Sequence, residues 1–100
     1  MRPARALEFR RREDGRVDVL RPKFGGGRLG RFIAARVRKP HVSVRLDARG
    51  SFVWDQCDGK RTVAEIAEAL EQRDGPADDL RQRLVRFLVG LARQGMVDWR

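Results

Sequence analysis

The stretch that decides the fold is LDARGSFVWDQCDGKRTVAEIAEAL, residues 46–70. Its first half places Phe52, Val53, Trp54 and Cys57 within two turns, so a short helix over 51–57 must pack against another element to be stable. The dipeptide at 58–59 then ends this helix, because glycine adopts positive φ without a steric penalty. The stretch therefore predicts a short helix, a tight turn and a second helix.

The start of the second helix has a specific signal. Thr62 and Glu65 fit a capping box, in which each side chain accepts a hydrogen bond from the backbone of the other residue. The helix is thus predicted to begin at Val63, with glutamates on its solvent side. Its apolar residues recur with the i, i+3, i+4, i+7 spacing of a one-sided helix, at Val63, Ile66, Ala67 and Leu70.

Strands are predicted on either side of this unit. RVDVLRP at 16–22 and HVSVRL at 41–46 alternate apolar and polar residues, and MVDW at 96–99 can return as a final short strand. Between the first two, the glycines at 25–27 predict a turn. LGRFIAARV at 29–37 is ambiguous between helix and strand, and its spacing favours a short helix or helical turn. Asp47 is placed to cap the helix that follows the second strand.

The last helix follows a turn at 73–76. Asp78 or Asp79 can cap it, and it should run to about Gln94 and stop at Gly95. At roughly 100° per residue its apolar arc covers a little over half the circumference. Two interpretations stay open, a central core helix or a helix with one flank lining a groove for an apolar peptide. The predicted core is Trp54 with Phe52, Ile66, Leu70, Leu84 and Leu88.

Length and composition limit the class of protein. One hundred residues allow one domain, predicted over 16–100 and preceded by a flexible basic arm over 1–15. A single cysteine and a single histidine, Cys57 and His41, allow no internal disulfide and no Cys/His zinc cluster, so neither a metal nor a cofactor is expected. No apolar run is long enough for a membrane span and no secretory signal is present, which favours a cytoplasmic location.

The net charge of +9 is concentrated at one end, since 14 of the 23 basic residues but only 4 of the 14 acidic residues lie in 1–45. Such a charge can attract nucleic acid or an acidic partner. The alternative is compositional bias, because arginine greatly outnumbers lysine. Charge alone leaves both interpretations open.

Several segments together resemble the PqqD family of small winged-helix peptide chaperones, also called RiPP recognition elements. The likeness covers about residues 41–99. Its motifs, in chain order, are VRLD at 44–47, GSFVW at 50–54, CDG at 57–59, RTV at 61–63, EIA at 65–67, the Phe87-Leu88 to Leu91 run and GMV at 95–97. The first forty residues depart from the family pattern, so the hairpin partner of the strand at 41–46 is left open.

The resemblance implies an α+β, winged-helix-like fold, in which a small N-terminal antiparallel sheet is followed by three helices. It also implies a non-catalytic function. Members bind the leader segment of a ribosomally synthesised precursor peptide and present it to a modifying enzyme, often a radical SAM enzyme. The leader adds as a strand beside the third strand and lies against the last helix. The corresponding peptide-binding residues are Val42, Ser43, Val44, Arg45, Leu46, Arg83, Leu84, Phe87 and Leu91.

Physical reasoning supports this site, because an open strand edge offers unpaired backbone groups and an apolar helix flank offers pockets. A helix-turn-helix DNA-binding protein is the alternative. The acidic start expected for the last helix, at 78–79, and the glutamates of the preceding helix argue against nucleic acid. No catalytic constellation is recognisable, and a buried apolar role is expected for Cys57. Free strand edges leave a homodimer open.

Overall fold

The computed structural model describes residues 1–22 and 41–100, without the side chains of Pro22, His41 and Val42. The predictions for 25–27 and 29–37 lie outside the described residues. The described elements, in chain order, are β1 (Pro3–Arg5), β2 (Phe9–Arg11), β3 (Val17–Pro22), β4 (His41–Arg45), α1 (Ala48–Gln56), α2 (Val63–Asp74), α3 (Leu80–Arg93) and β5 (Val97–Trp99). This part of the chain is an α+β fold with a small antiparallel sheet and three helices, as predicted.

The larger sheet has the order β2-β3-β4 and is antiparallel throughout. Val19 stands at its centre, opposite Phe9 on one neighbouring strand and Val44 on the other. Val17 and Val19 are fully buried, so the alternation of β3 directs its valines into the core. The strands predicted at 16–22 and 41–46 are confirmed.

Two short strands lie within residues 1–15, where the sequence analysis predicts a flexible arm. β1 pairs with β5, and β2 pairs with β3. The opposite side of β1 is also bonded, because the Arg5 N–H donates to the Cys57 carbonyl at 2.9 Å and the Gly59 N–H to the Pro3 carbonyl at 2.8 Å. The pairing of β1 with β5 joins distant parts of the chain, so no local pattern signals it. β2 and β3 form a local hairpin, and its turn contains Gly15 with a φ of 87°. The division into an arm over 1–15 and a domain over 16–100 stays a prediction.

Helix α1 begins three residues before the predicted start. The Asp47 carboxylate accepts from the Gly50 N–H at 2.7 Å, which confirms the predicted cap. At the other end, the Arg5 guanidinium donates to the Trp54 and Asp55 carbonyls at 3.1 and 2.9 Å. A cation on the last-turn carbonyls stabilises a helix C-terminus, so β1 helps to end α1.

The following helices also begin and end at specific residues. The Thr62–Glu65 capping box is present at the start of α2, which continues to Asp74 and ends at Gly75, a residue with a φ of 87°. Asp79 occupies the cap position of α3, one of the two positions predicted, but its side chain makes no cap hydrogen bond. Gly95, with a φ of 73°, follows α3 and turns the chain into β5.

Trp54 is the centre of the core and is fully buried. The Phe9 ring meets its indole edge-on, with centroids 5.7 Å apart and planes at 77°. Of the predicted core, Phe52 is only half-buried and lies under the Arg73 guanidinium, 5.4 Å from the ring centroid. The buried apolar members include Val53, Cys57, Ile66, Ala67, Leu70, Leu84, Leu88, Leu91, Met96 and Val97. None of the helices within 1–22 and 41–100 has the length and apolar character needed to cross a bilayer.

Candidate functional site

Among the described strands, none pairs with the outer edge of β4. The Leu46 N–H donates to the Val17 carbonyl at 2.9 Å, and Val44 lies opposite Val19. Because backbone groups alternate sides along an antiparallel strand, the N–H and C=O groups of Ser43 and Arg45 point away from β3. Across residues 1–22 and 41–100, no strand pairs with β4 on that side. The described edge can therefore accept an added strand.

A groove of about 330 Å³ lies beside the chain as it leaves β4. The first turn of α1, the end of α2 with the turn that follows it, and the first half of α3 form its walls. The lining residues used below are Asp47, Arg49, Gly50, Asp74, Arg83 and Phe87.

Gly50 lies between the end of the sheet and α3. A Cβ added to Gly50 would lie 3.3 Å from Phe87 Cζ, 3.5 Å from Leu46 Cβ and 3.1 Å from the Asp47 carboxylate oxygen Oδ1. Phe87 of α3 and Leu46 after β4 thus meet over one glycine. A larger residue at 50 would displace Phe87, because protein interiors leave no spare volume for it.

The Ser51 hydroxyl holds the sheet against α1. It accepts from the Val17 N–H at 2.8 Å and donates to the Leu46 carbonyl at 3.4 Å. The ladder between β3 and β4 would normally pair Val17 with Leu46 directly in both directions. The hydroxyl therefore replaces one ladder bond and fixes the end of β4 relative to α1.

The predicted site residues differ in how far they are exposed. Ser43, Arg45 and Arg83 are exposed, and Val44 and Phe87 are half-buried. Leu46, Leu84 and Leu91 are buried at 8%, 3% and 5% exposure. The family resemblance brings Leu84 and Leu91 into the site, but their burial gives them mainly a core role, which the sequence also predicts for Leu84. The Val42 side chain lies outside the described residues.

Sequence reasoning did not select the charged rim of the groove. The Arg49 guanidinium binds the Asp74 carboxylate at 2.9 Å, which joins α1 to the end of α2 across one side of the groove. Arg83 and Arg45 make no ion pair with any described residue. The signal for the rim was weak, since an Arg two residues after a cap and an Asp before Gly-Pro are common on any surface.

The buried thiol of Cys57 has no sign of reactivity. Burial raises the pKa of the Cys57 thiol to about 12, and its Sγ donates to the Val53 carbonyl at 3.2 Å. A thiol with such a pKa stays protonated at neutral pH and is a poor nucleophile. Cys57 is a core residue, as predicted from its neighbours.

Comparison with known proteins gave one match. The family model of Coenzyme PQQ synthesis protein D (PqqD) matches residues 37–97, which is more than half of the chain. The matched range includes the open strand β4, the groove and all three described helices. No curated protein and no solved structure matches. The chain therefore belongs to the PqqD family.

Proposed function

We propose that this protein binds the leader segment of a ribosomally synthesised precursor peptide and presents it to a peptide-modifying enzyme in the cytoplasm. Membership of the PqqD family gives the coarser part of this function, that of a non-catalytic peptide-binding accessory protein in biosynthesis. The leader specificity, the location and a radical SAM enzyme as partner belong to the proposal. The open edge of β4 beside the α3 groove is the observation that carries it.

Backbone pairing with β4 would supply most of the affinity. The outward groups of Ser43 and Arg45 offer two donors and two acceptors to an extended peptide, and this pairing depends little on peptide sequence. We propose that the peptide contacts the residues predicted from the sequence in the strand at 42–46 and in α3. The exposed residues among them lie nearest the peptide.

Side chains of α3 would supply the specificity. Phe87 offers a half-buried aromatic face next to the groove, and Arg83 offers a guanidinium that pairs with no described carboxylate. An apolar side chain on Phe87 and a carboxylate on Arg83 would satisfy both residues. We therefore expect the bound leader to carry an apolar and an acidic residue close together.

Fluorescence anisotropy tests the side-chain contacts. The probes are fluorescein-labelled leader peptides encoded by short reading frames beside this gene. Arg83→Glu and Phe87→Ala should each weaken binding at least about tenfold, or about 1.4 kcal/mol, because a favourable contact is lost in each. Arg93→Glu is the matched control, because Arg93 is exposed on the same helix and lies beyond the groove. If both test variants bind the peptide with wild-type affinity, the groove is not its binding site.

A substitution in the strand tests the backbone pairing. The Ser43 N–H faces away from β3, so Ser43→Pro removes one donor from the open edge and keeps the ladder to β3. Ser43→Ala keeps that donor and serves as the control. Binding should fall in the proline variant and persist in the alanine variant. Equal affinities, with both proteins folded by circular dichroism, would show that the peptide does not add to this edge.

DNA binding remains the second candidate, because the last helix does not begin with the acidic residues at 78–79 that argued against it. Asp78 and Asp79 precede α3, so the first turn of this helix carries the exposed residues Arg81, Gln82 and Arg83. These are residue types that contact bases and phosphates. A salt titration with duplex DNA tests this candidate. Submicromolar binding with a steep salt dependence at physiological ionic strength would favour it over peptide binding.

A further inference from the structure

Gly50 is a glycine that its own backbone conformation does not require. It lies in the first turn of α1 and is buried, and unlike Gly75 and Gly95 it has no positive φ. Glycine lowers the stability of a helix relative to alanine, because it loses more conformational freedom on folding. The reason for glycine at this position therefore lies in the space beside it.

The end of the Phe87 ring occupies that space. A Cβ at position 50 would lie 3.3 Å from Phe87 Cζ, which is closer than an ordinary carbon contact, and 3.5 Å from Leu46 Cβ. The absent side chain thus lets the ring of Phe87 approach the backbone of α1. A methyl group at 50 would take up part of the groove, which both residues line, and would force the ring to move.

The groove beside Gly50 suits an apolar side chain. Three buried core residues, Val53, Leu70 and Leu84, line the part of the groove that faces the core. The groove has a volume of about 330 Å³, which is enough for a large side chain. An apolar group that enters it removes this surface and its own surface from water, which is favourable.

We propose that Gly50 determines the size of the leader side chain that enters this groove. One large apolar residue of the leader, of the size of leucine or phenylalanine, packs against the Gly50 backbone and the Phe87 ring; we name it the anchor residue. This inference rests on the proposed function, since it names the part of the leader that the groove selects. An alanine in place of the anchor leaves the space beside Gly50 empty and loses these contacts. With a side chain at 50, a large anchor no longer fits, whereas an alanine peptide loses little.

A purely structural role for Gly50 makes a different prediction. If glycine only allows α1 and α3 to pack, its replacement lowers the apparent affinity for every peptide by the same factor, because a smaller fraction of the protein is folded. Selection by size instead changes the ratio between the affinities for two peptides. That ratio does not depend on the folded fraction.

Fluorescence anisotropy measures this ratio. The probes are the fluorescein-labelled leader peptides encoded beside this gene, with versions in which each large apolar residue is replaced in turn by alanine. Wild-type protein should bind one of these versions at least about tenfold more weakly than the parent peptide, which identifies the anchor residue. Gly50→Ala should bind the parent peptide at least about tenfold more weakly than wild type does, and the anchor-substituted peptide within about twofold of wild type.

Gly90→Ala is the matched control. Gly90 is also a helical glycine, but a Cβ added there would lie in open space, and the residue does not line the groove. This variant should keep the wild-type ratio. NMR gives a second measurement without any substitution: in the wild-type complex, the α protons of Gly50 should show NOEs to the side chain of the anchor residue. This measurement decides the question even if Gly50→Ala does not fold.

The outcomes separate this inference from the proposed function. An equal loss of affinity for both peptides in Gly50→Ala, or no loss for either, would overturn the inference and leave leader binding in place. A wild-type complex without NOEs between Gly50 and the peptide would do the same. Wild-type protein that binds none of the leader peptides would reject the proposed function itself, and the inference with it.

Discussion

Replacing Ser51 by alanine should destabilise the domain by far more than a serine-to-alanine change on its surface. Ser51 is 4% exposed, and its hydroxyl accepts from the N–H of Val17, which is fully buried. Removing the hydroxyl leaves that N–H without a partner and removes the weaker bond to the Leu46 carbonyl. Water cannot replace the lost acceptor unless the sheet and the helix separate.

The size of the effect follows from two opposing contributions. An unpaired buried N–H costs about 1–3 kcal/mol. Alanine favours a helix over serine by roughly 0.5 kcal/mol, which offsets part of the loss in α1. The expected net loss is about 1.5 kcal/mol in the free energy of unfolding. For a domain of this size, that corresponds to a fall in Tm of roughly 6–12 °C.

Thermal unfolding followed by circular dichroism measures the change, and NMR hydrogen exchange locates it. Exchange at the Val17 amide should accelerate in Ser51→Ala more than at other core amides. Ser43→Ala is the matched control, because Ser43 is exposed and the change should stay within about 0.5 kcal/mol. A Tm within a degree of wild type, with unchanged exchange at Val17, would refute the role given to the hydroxyl.

Three further predictions concern the core, the cap and the thiol. Trp54→Ala should lower the free energy of unfolding, measured with a chemical denaturant, by about 3–5 kcal/mol. Trp54→Phe should lower it less, because the indole N–H that it removes has no hydrogen-bond partner among the described residues. Equal losses in the two variants would contradict this. The hydrogen bond from the Thr62 N–H lowers the pKa of Glu65 in the folded protein. The Glu65 carboxylate therefore stabilises the fold fully above its unfolded-state pKa of about 4.3, and this contribution is lost as the pH falls through its lower folded-state pKa. Between pH 5 and 3, Glu65→Gln should therefore lose less Tm than wild type, whereas Glu68→Gln, which makes no cap bond, should behave as wild type. Native Cys57 should react with a thiol reagent only after unfolding, because burial raises its pKa; rapid labelling of folded protein would contradict its core role.

Burial also changes which α3 variants are useful for testing the site. On sequence alone, Leu91→Ala is expected to leave the fold largely intact. At 5% exposure Leu91 is part of the core, and truncating such a residue costs about 2–5 kcal/mol. Lower peptide binding in that variant would therefore not separate unfolding from loss of contact, whereas Arg83 and Phe87 allow that separation.

The sequence identified those helices and strands whose ends and faces are determined by residues close together in the chain. The Thr62–Glu65 box, the Asp47 cap, the glycines at 75 and 95 and the alternation in β3 and β4 act over a few residues. They could be read without knowing the fold. The motifs between 44 and 97 were also enough to indicate the family, since their order along the chain is specific.

Only the tertiary structure decided which contacts join distant parts of the chain. β1 pairs with β5 although almost the whole sequence separates them, and the Ser51 hydroxyl enters a ladder between two other elements. The sequence predicts Leu84 in the core, but the apolar arc of α3 could not reveal that Leu91 is buried while Phe87 stays half-exposed, because burial depends on which elements surround the helix. Residue patterns fix what each segment can form, whereas the packing of segments against one another fixes which surfaces remain for a partner.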